Sequence, residues 1–544
     1  MRIVLALLIL AALLVRLDQL TERTFGHPEN FVTGLNVPEW VKYPPPRNDL
    51  EGIYRGTLID GHPPGYFVAM LPWVKTFGSS LLALRLPSVI FGVLSVWLLF
   101  AFARRETDDW TALGAAALLA FNGHHVFWSQ QARMYALATA LGLISALLLY
   151  KILIDNRREY RVAYFVTLTA MLWTQLYCWP LLLAQMVWVA MHGLRTGRLP
   201  TVLKTQFAAV IAGTPVIQLS IYQNPPTQWQ QSALEYFGFG YMYYSESLFF
   251  GARHPFAAVS IPLSVLGIGL LLLGVRAHAN ARVLTAENTT GWASAFSADM
   301  IVIATLATAV LVAFPLSAPA ARTGRAMLLA VSVLPWLLLI TFATVQRLWT
   351  NARVRSWRWP QRLPGPLSIW LAILPWSIMY GLSVLRPSFV ARGALIFVPY
   401  LLLVIAVAIA SLRRLRPALV GALAAVVVLL AGSVIYFRNV ESSGRDYATL
   451  AEGLKKRLQP NDVVLVRNRF THPPLLYYLP AHLQQVVPME ALRNRGLSPE
   501  RRVWVIDFEE AADSNLYRLV GGRAERESVE AYGGRAVLFG PLPN

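Results

Sequence analysis

Residues 65–106 read GYFVAMLPWVKTFGSSLLALRLPSVIFGVLSVWLLFAFARRE, and the way this stretch divides sets the topology of the whole chain. The run 81–103 is a predominantly apolar window, and it exceeds the ~20 residues that a bilayer core requires. It ends on Arg104 and Arg105, the kind of basic pair that marks a cytoplasmic span end. The window before it, 65–78, is apolar too, but it is short and carries Pro72 and Lys75. Other windows of spanning character fall near 2–17, 110–127, 133–153, 161–178, 180–194, 205–221, 256–275, 299–316, 325–346, 367–385, 393–411 and 417–437, about 13 in all with 81–103. If 65–78 does not span, the linkers on the N-terminal side hold the basic clusters: Arg104–Arg105, Lys151 to Arg161, Arg195 to Lys204, Arg276 and Arg282, Arg347 to Arg362, and Arg413 to Arg416. Counting 65–78 as a span would turn every one of those clusters outward, against the positive-inside rule. The window is therefore expected to lie along the interface, with Trp73 and Lys75 as anchors.

This parity places the N-terminus in the cytoplasm. The long segment 18–80, the aromatic-rich loop 222–255 and everything after 437 fall outside. Residues 1–17 lack a small-x-small cleavage site and are expected to remain as the first span. Composition agrees with a membrane solvent: 56% of the 544 residues are hydrophobic, 14% are charged, and the mean hydropathy is +0.48. The net charge of +19 sits in short clusters between apolar runs, so it reports orientation and membrane lipids and not a nucleic-acid face. A lone cysteine, Cys178, rules out an internal disulfide and any metal site built on several thiolates.

Past 437 the pattern changes. Short β-type runs (462–466, 502–508, 535–539) alternate with helix-like stretches (447–458, 509–519), as in a small soluble α/β domain. The expected architecture is an α-helical polytopic membrane protein. A transmembrane domain covers 1–437, with the outer loop 18–80, and an external α/β domain covers 438–544. No Walker loop and no GxGxxG follows a strand, and the cytoplasmic linkers are short. Chemistry is therefore expected on the outer face, where nucleotide donors are scarce.

The outer loop is far longer than a connector needs. In Ile59-Asp60-Gly61-His62-Pro63-Pro64 an acid and a histidine precede a proline pair, a rigid turn able to present polar groups. Asp60 is a candidate base; its competing reading is a turn cap. His62 is a candidate ligand for substrate or for a divalent metal ion, the one cofactor left open, against a plain structural histidine. Arg133 opens the fourth span, an expensive place for a cation that lacks an anionic partner, and is the leading phosphate ligand; its competing reading is snorkelling. Tyr135 and Arg392 are further candidates for the same anion.

Several stretches resemble one superfamily. A short first span, a long outer loop bearing an acid, then His62-Pro63-Pro64-Gly65-Tyr66, Leu84-Arg85-Leu86-Pro87-Ser88-Val89 and Trp128-Ser129-Gln130-Gln131-Ala132-Arg133-Met134-Tyr135-Ala136 are similar to the dolichyl-phosphate-mannose–protein mannosyltransferase and lipid A aminoarabinose transferase superfamily. RPSFVARGALIFVPYLLL (386–403) is a looser echo. The resemblance implies a C-type glycosyltransferase fold and transfer of one sugar from a polyprenyl-phosphate donor to a lipid, glycan or protein acceptor. The high Arg content and short loops, as composition, suit a bacterial inner membrane. The family's early acidic residue, commonly an Asp-Glu pair, has its nearest match here in Glu29, which the resemblance makes the first candidate base; its competing reading is a solvated loop carboxylate. A phosphate ester leaves as a stable anion without an acid, so one carboxylate to deprotonate the acceptor and cations to receive the phosphate would suffice, with inversion. The remaining readings are a transporter or flippase, which the lack of inverted-repeat hydropathy disfavours, and a lipid-linked polysaccharide polymerase or ligase, whose large loop belongs between later spans.

Overall fold

The computed structural model describes residues 1–23, 25, 29, 49–51, 53, 62–196, 201–222, 270–278, 365–385, 391–411, 446–466, 472–482, 485–492, 497–507, 517–531 and 534–542. The expected windows 299–316, 325–346 and 417–437, most of 256–275 and nearly all of the aromatic loop lie outside these residues. The described helices follow the apolar windows: α1 (Arg2–Leu17), α2 (Gly65–Phe77), α3 (Leu81–Ala103), α4 (Asp109–Ala120), α5 (Gly123–Ser129), α6 (Tyr135–Leu153), α7 (Arg161–Thr174), α8 (Cys178–Thr196), α9 (Val202–Tyr222), α10 (Leu367–Leu385) and α11 (Val398–Ser411). Among the described residues three segments, α3, α6 and Arg392–Ser411, are long and apolar enough to cross a membrane, while α4, Cys178–Gly193, Val202–Val216 and Leu367–Met379 are shorter apolar stretches. The chain packs as two units. One takes in 1–16, 88–129 and 134–436; the other takes in 17–87, 130–133 and 437–544.

In the first unit the window expected as one span over 110–127 is two helices, α4 and α5. Asn122 causes the break: its side-chain oxygen accepts from the His125 amide at 2.9 Å and starts a new helix. The break orphans the last carbonyls of α4. Arg16, fully buried at the end of α1, supplies donors for them, with Nη1 to the Ala120 oxygen at 3.0 Å and Nη2 to the Leu119 oxygen at 3.4 Å. Arg16 Nη2 also meets His125 Nδ1 at 2.9 Å, and because a guanidinium can only donate, that ring nitrogen accepts and the imidazole is the neutral Nε2–H form. A Cβ at Gly92 would collide with the Ser129 hydroxyl, so α3 needs glycine there to approach α5.

Four helices share a buried polar chain. Tyr164 on α7 donates to Gln185 on α8 at 2.7 Å, Gln185 donates to Ser145 on α6 at 2.8 Å, and Gln206 on α9 donates to the Tyr164 oxygen at 2.9 Å. Apolar packing alone gives helices in lipid little reason to choose partners, so such bonds help set which helices adjoin. A second polar junction centres on Glu106, in the linker after α3. Its buried carboxylate accepts from His278 Nε2 at 2.9 Å, from the Ser368 amide at 3.1 Å, and from the Ser368 and Tyr150 hydroxyls, which caps the start of α10. Burial opposes the charge, yet His278, Ser368 and Tyr150 together hold the Glu106 carboxyl below its ordinary range.

The second unit contains a five-stranded mixed sheet. Its strands are β1 (Val463–Val466), β2 (Val486–Pro488), β3 (Val503–Asp507), β4 (Glu525–Ala531) and β5 (Gly534–Phe539), in the order β2-β1-β3-β5-β4. β1 runs parallel to β2 and β3, and β5 is antiparallel to β3 and β4. Period-two alternation sends Val464, Val466, Trp504, Ile506 and Leu538 to one face, under Leu450 and Leu454 of helix α12 (Tyr447–Lys455) and Leu475 of helix α13 (His472–Tyr478). Leu465, Val503, Val505, Val537 and Phe539 fill the other face. The sequence reading finds β1, β3 and β5 but not β2 and β4, which are the two edges. β2 is short and ends on proline, and β4 is charged and mostly exposed, the composition that keeps an edge from pairing further.

Replacing Arg16 by Met removes the guanidinium donor from the Ala120 carbonyl and one of the donors to Leu119, whose oxygen also accepts from the Asn122 amide at 3.4 Å, and charge-assisted bonds of this kind are worth about 1.5–3 kcal/mol each in ordinary proteins. The variant is expected to unfold at lower temperature in detergent than wild type, with Lys recovering only part, since one ammonium cannot reach all the acceptors; a thermal melt followed by intrinsic fluorescence reads this. The depressed Glu106 carboxyl contributes stability that is present above its unfolded value and is lost as pH falls through the folded one. Glu106→Gln is expected to melt lower at neutral pH and to lose stability less steeply on acidification.

Candidate active site

In the second unit, described residues of the segment after α1 meet around one ion pair. Arg85, in the first turns of α3, and Glu29 are both fully buried and meet in a bidentate fork, Nε to Oε1 at 2.8 Å and Nη2 to Oε2 at 2.6 Å. A guanidinium at the head of an apolar helix needs its donors used. The remaining nitrogen, Nη1, donates to the carbonyls of Leu20 at 2.7 Å and Arg23 at 2.9 Å, so the chain leaving α1 folds back over Arg85. Glu29 Oε1 also accepts from the Ala132 amide at 3.0 Å. Next to that contact Gln130 Nε2 donates to the Asp18 carbonyl at 2.7 Å. The turn 130–133 is thereby tied to the outer loop from both ends.

Arg133 follows directly in that turn. It is 2% exposed, its own amide donates to the Gln131 carbonyl at 2.7 Å, and its guanidinium carbon lies 6.0 Å from the centre of the Phe67 ring on α2. That separation suits a cation over an aromatic face. α2 turns Tyr66, Phe67, Met70 and Val74 inward along one face, and its Trp73 indole donates to the Ala83 carbonyl at 2.7 Å, which fixes the bend into α3. α2 is thus a short helix with one buried face, where the sequence leads one to expect an interfacial segment anchored by Trp73.

The C-terminal part of the chain holds the same loop. The Phe25 ring stacks on Tyr477 at 4.1 Å between centroids, and the Phe25 amide donates to the Tyr478 hydroxyl oxygen at 2.6 Å. The Tyr477 hydroxyl donates to the Ser79 carbonyl at 2.8 Å, in the turn between α2 and α3. Burial pushes the Tyr478 phenol up to about 12, so it keeps its proton at any working pH.

Of the residues singled out from sequence, Glu29 and the Arg133 turn come together, joined through Ala132. His62 is half-buried just ahead of α2, in the same unit. Asp60 lies outside the described residues. Tyr135 and Arg392 belong to the first unit: Tyr135 opens α6 with its ring 4.6 Å from Trp128, and Arg392 sits in the 3-10 turn Ala391–Phe397 that leads into α11. Among the described residues no three His, Cys, Asp or Glu side chains cluster as metal ligands, and none joins His62 in such a group. The sequence reading passed over Arg85 although it stands inside the RLPSV stretch. A charge within an otherwise apolar span was the available signal.

Comparison with known proteins gives one family match. Residues 61–221 match the model of the dolichyl-phosphate-mannose–protein mannosyltransferase family, and so carry its sequence pattern through the HPPGY, RLPSV and SQQARMYA stretches. No curated protein matches the chain. Similar solved structures include ArnT from Cupriavidus metallidurans in the apo state, at 14% identity over 98% of this chain and 97% of that one with a TM-score of 0.42. The same protein bound to undecaprenyl phosphate is similar at 14% identity, 98% and 97% coverage and a TM-score of 0.41. The apo oligosaccharyltransferase of Archaeoglobus fulgidus is similar at 11% identity, 95% and 70% coverage and a TM-score of 0.44.

Tyr477→Ala removes both a stacked ring and the Ser79 tie. It is expected to release the segment around Phe25, seen as faster proteolytic cleavage of the outer loop in the intact protein, while Tyr478→Phe, which loses only one acceptor, gives a smaller change.

Proposed function

We propose, for a chain whose residues 61–221 carry the mannosyltransferase pattern, that it is a membrane glycosyltransferase moving one sugar from a polyprenyl-phosphate donor to a lipid, glycan or protein acceptor on the outer face of the membrane. The observation that carries the reading is the placing of Arg133: a buried guanidinium in the SQQARMYA stretch, beside an aromatic ring, on a turn held by the outer loop. In a low-dielectric site a fixed cation stabilises the charge that gathers on a departing lipid phosphate, without reorganising at the moment of reaction.

The acceptor hydroxyl needs one base, and Asp60 is the carboxylate assigned here. In the sequence it stands in the IDGHPP stretch that precedes α2, the helix that supplies Phe67. Attack from the face opposite the phosphate inverts the anomeric centre in a single displacement. His62 is two residues on, a hydrogen-bonding group for sugar or acceptor and the residue through which a divalent metal would act.

The test is transfer of labelled sugar from a defined polyprenyl-phosphate donor by the full chain in proteoliposomes. Arg133→Ala is expected to cut kcat/KM by roughly 10²–10³-fold, the loss typical of one electrostatic stabiliser. Asp60→Asn is expected to cut kcat by roughly 10²–10⁴-fold with little change in donor KM, as for loss of a general base. Full activity in both variants would remove these assignments, and transfer from a nucleotide sugar alone would remove the mechanism.

A further inference from the structure

Glu29 is the acid that the family pattern offers as a base, and its surroundings point elsewhere. A general base must present a lone pair to the acceptor hydroxyl and must gain a proton in the transition state. Here the carboxylate is fully buried, Oε1 accepts from both Arg85 Nε and the Ala132 amide, and Oε2 accepts from Arg85 Nη2. A bidentate guanidinium stabilises the charged carboxylate over the protonated acid, the opposite of what proton uptake needs. Beyond Arg85, Glu29 contacts the backbone of the residue next to Arg133.

We infer that Glu29 and Arg85 are positioning residues: together they seat the 130–133 turn so that Arg133 meets the donor phosphate, and Glu29 takes no proton in the reaction. The inference rests on the proposed role of Arg133. The chain of contacts is short. Arg85 stands in α3, a helix long enough to hold a fixed place in a membrane. Its guanidinium fixes Glu29 with one edge and the carbonyls of Leu20 and Arg23 with Nη1. Glu29 passes that placement to Ala132, and Gln130 secures the other end of the turn to Asp18. A turn of four residues held at two points leaves Arg133 little latitude. A misplacement of about an ångström at a reacting group costs on the order of a hundredfold in rate.

The experiment uses the full chain in lipid nanodiscs and measures binding of unglycosylated polyprenyl phosphate, together with kcat, donor KM and the pH profile of sugar transfer. Glu29→Gln keeps an oxygen for the Ala132 amide and loses the charge that orders Arg85. It is expected to weaken polyprenyl-phosphate binding and to raise donor KM by about tenfold or more, within the range of such displacements. The acid limb of the kcat profile is expected to stay where wild type has it. Because a single change can leave a buried charge alone and unfold the protein, a second variant replaces Glu29 by Leu and Arg85 by Met together, an exchange of a buried pair for apolar groups that proteins often tolerate. It is expected to fold and to show the same binding defect, whereas Glu29→Asp recovers part of the wild-type affinity. The inference is overturned if Glu29→Gln leaves binding and KM unchanged while kcat falls a hundredfold and the acid limb vanishes, the signature of a base. It is equally overturned if the folded double variant binds and turns over like wild type. Wild-type protein that neither binds polyprenyl phosphate nor transfers from it would sink the functional reading itself, a result distinct from both.

Discussion

A guanidinium held in the first turns of an apolar helix is the constraint on which the second unit of this protein depends. Taking Arg85 and Glu29 out of water is costly, and their attraction offsets that cost only when the geometry is good and the other donors are satisfied. Both conditions are met: the fork is bidentate, and Nη1 is satisfied by two backbone carbonyls. The requirement works in the other direction as well. A buried arginine that must have carbonyl partners dictates the path of whatever chain supplies them, and here that is the stretch leaving α1. Removing either charge would strand the other, a loss of about 3–5 kcal/mol for buried pairs in general. That is large beside the stability of most domains.

The same logic recurs at two other places, each where a helix ends inside the protein. Arg16 answers the carbonyls orphaned by the break at Asn122. Glu106 answers the amide at the start of α10 and gathers His278 and Tyr150 about it. A chain with 14% charged residues has few charges to place, and these four buried ones, Arg85, Glu29, Arg16 and Glu106, all complete backbone hydrogen bonding that the apolar surroundings cannot. An ionisable group within a membrane segment invites a catalytic reading. In this protein the organising role comes first, and it is visible in what each charge touches: carbonyls, amides and one another.

This division explains what could be read in the sequence. Apolar length is a strong signal, and the windows at 2–17, 81–103, 133–153 and 367–385 fall close to α1, α3, α6 and α10. The break between α4 and α5 rests on one side-chain bond from Asn122, and the short polar run Asn122-Gly123-His124-His125 that marks it lies between apolar flanks that read as one window. In the tail, strands with alternating apolar residues were legible. The edges β2 and β4 were not, because an edge strand carries the proline and charge that discourage further pairing, and those erase the strand pattern. For the site, the residue types were readable and the pairings were not. Glu29 and Arg85 are 56 positions apart, and nothing local in either motif says that they meet. Arg133 could be picked out because a cation at a span end asks for an anion, but the contact at Ala132 is a backbone one, which side-chain identity cannot announce.

The chemistry proposed here asks little of the protein, and that is why so much of the site is scaffold. A phosphate leaving group needs no acid, so the catalytic inventory reduces to one accessible carboxylate and cations fixed against the lipid phosphate. Accessibility and fixity make opposite demands on a side chain. A base has to reach a solvent-facing acceptor, which is the role proposed for Asp60. A phosphate ligand has to stay still without water to screen it, which suits a buried turn tied at Gln130 and Ala132. Glu29 meets the second demand and not the first. An acid early in the outer loop can therefore matter to transfer without touching the proton, because the strength of a fixed cation at the phosphate depends on how well its own backbone is held.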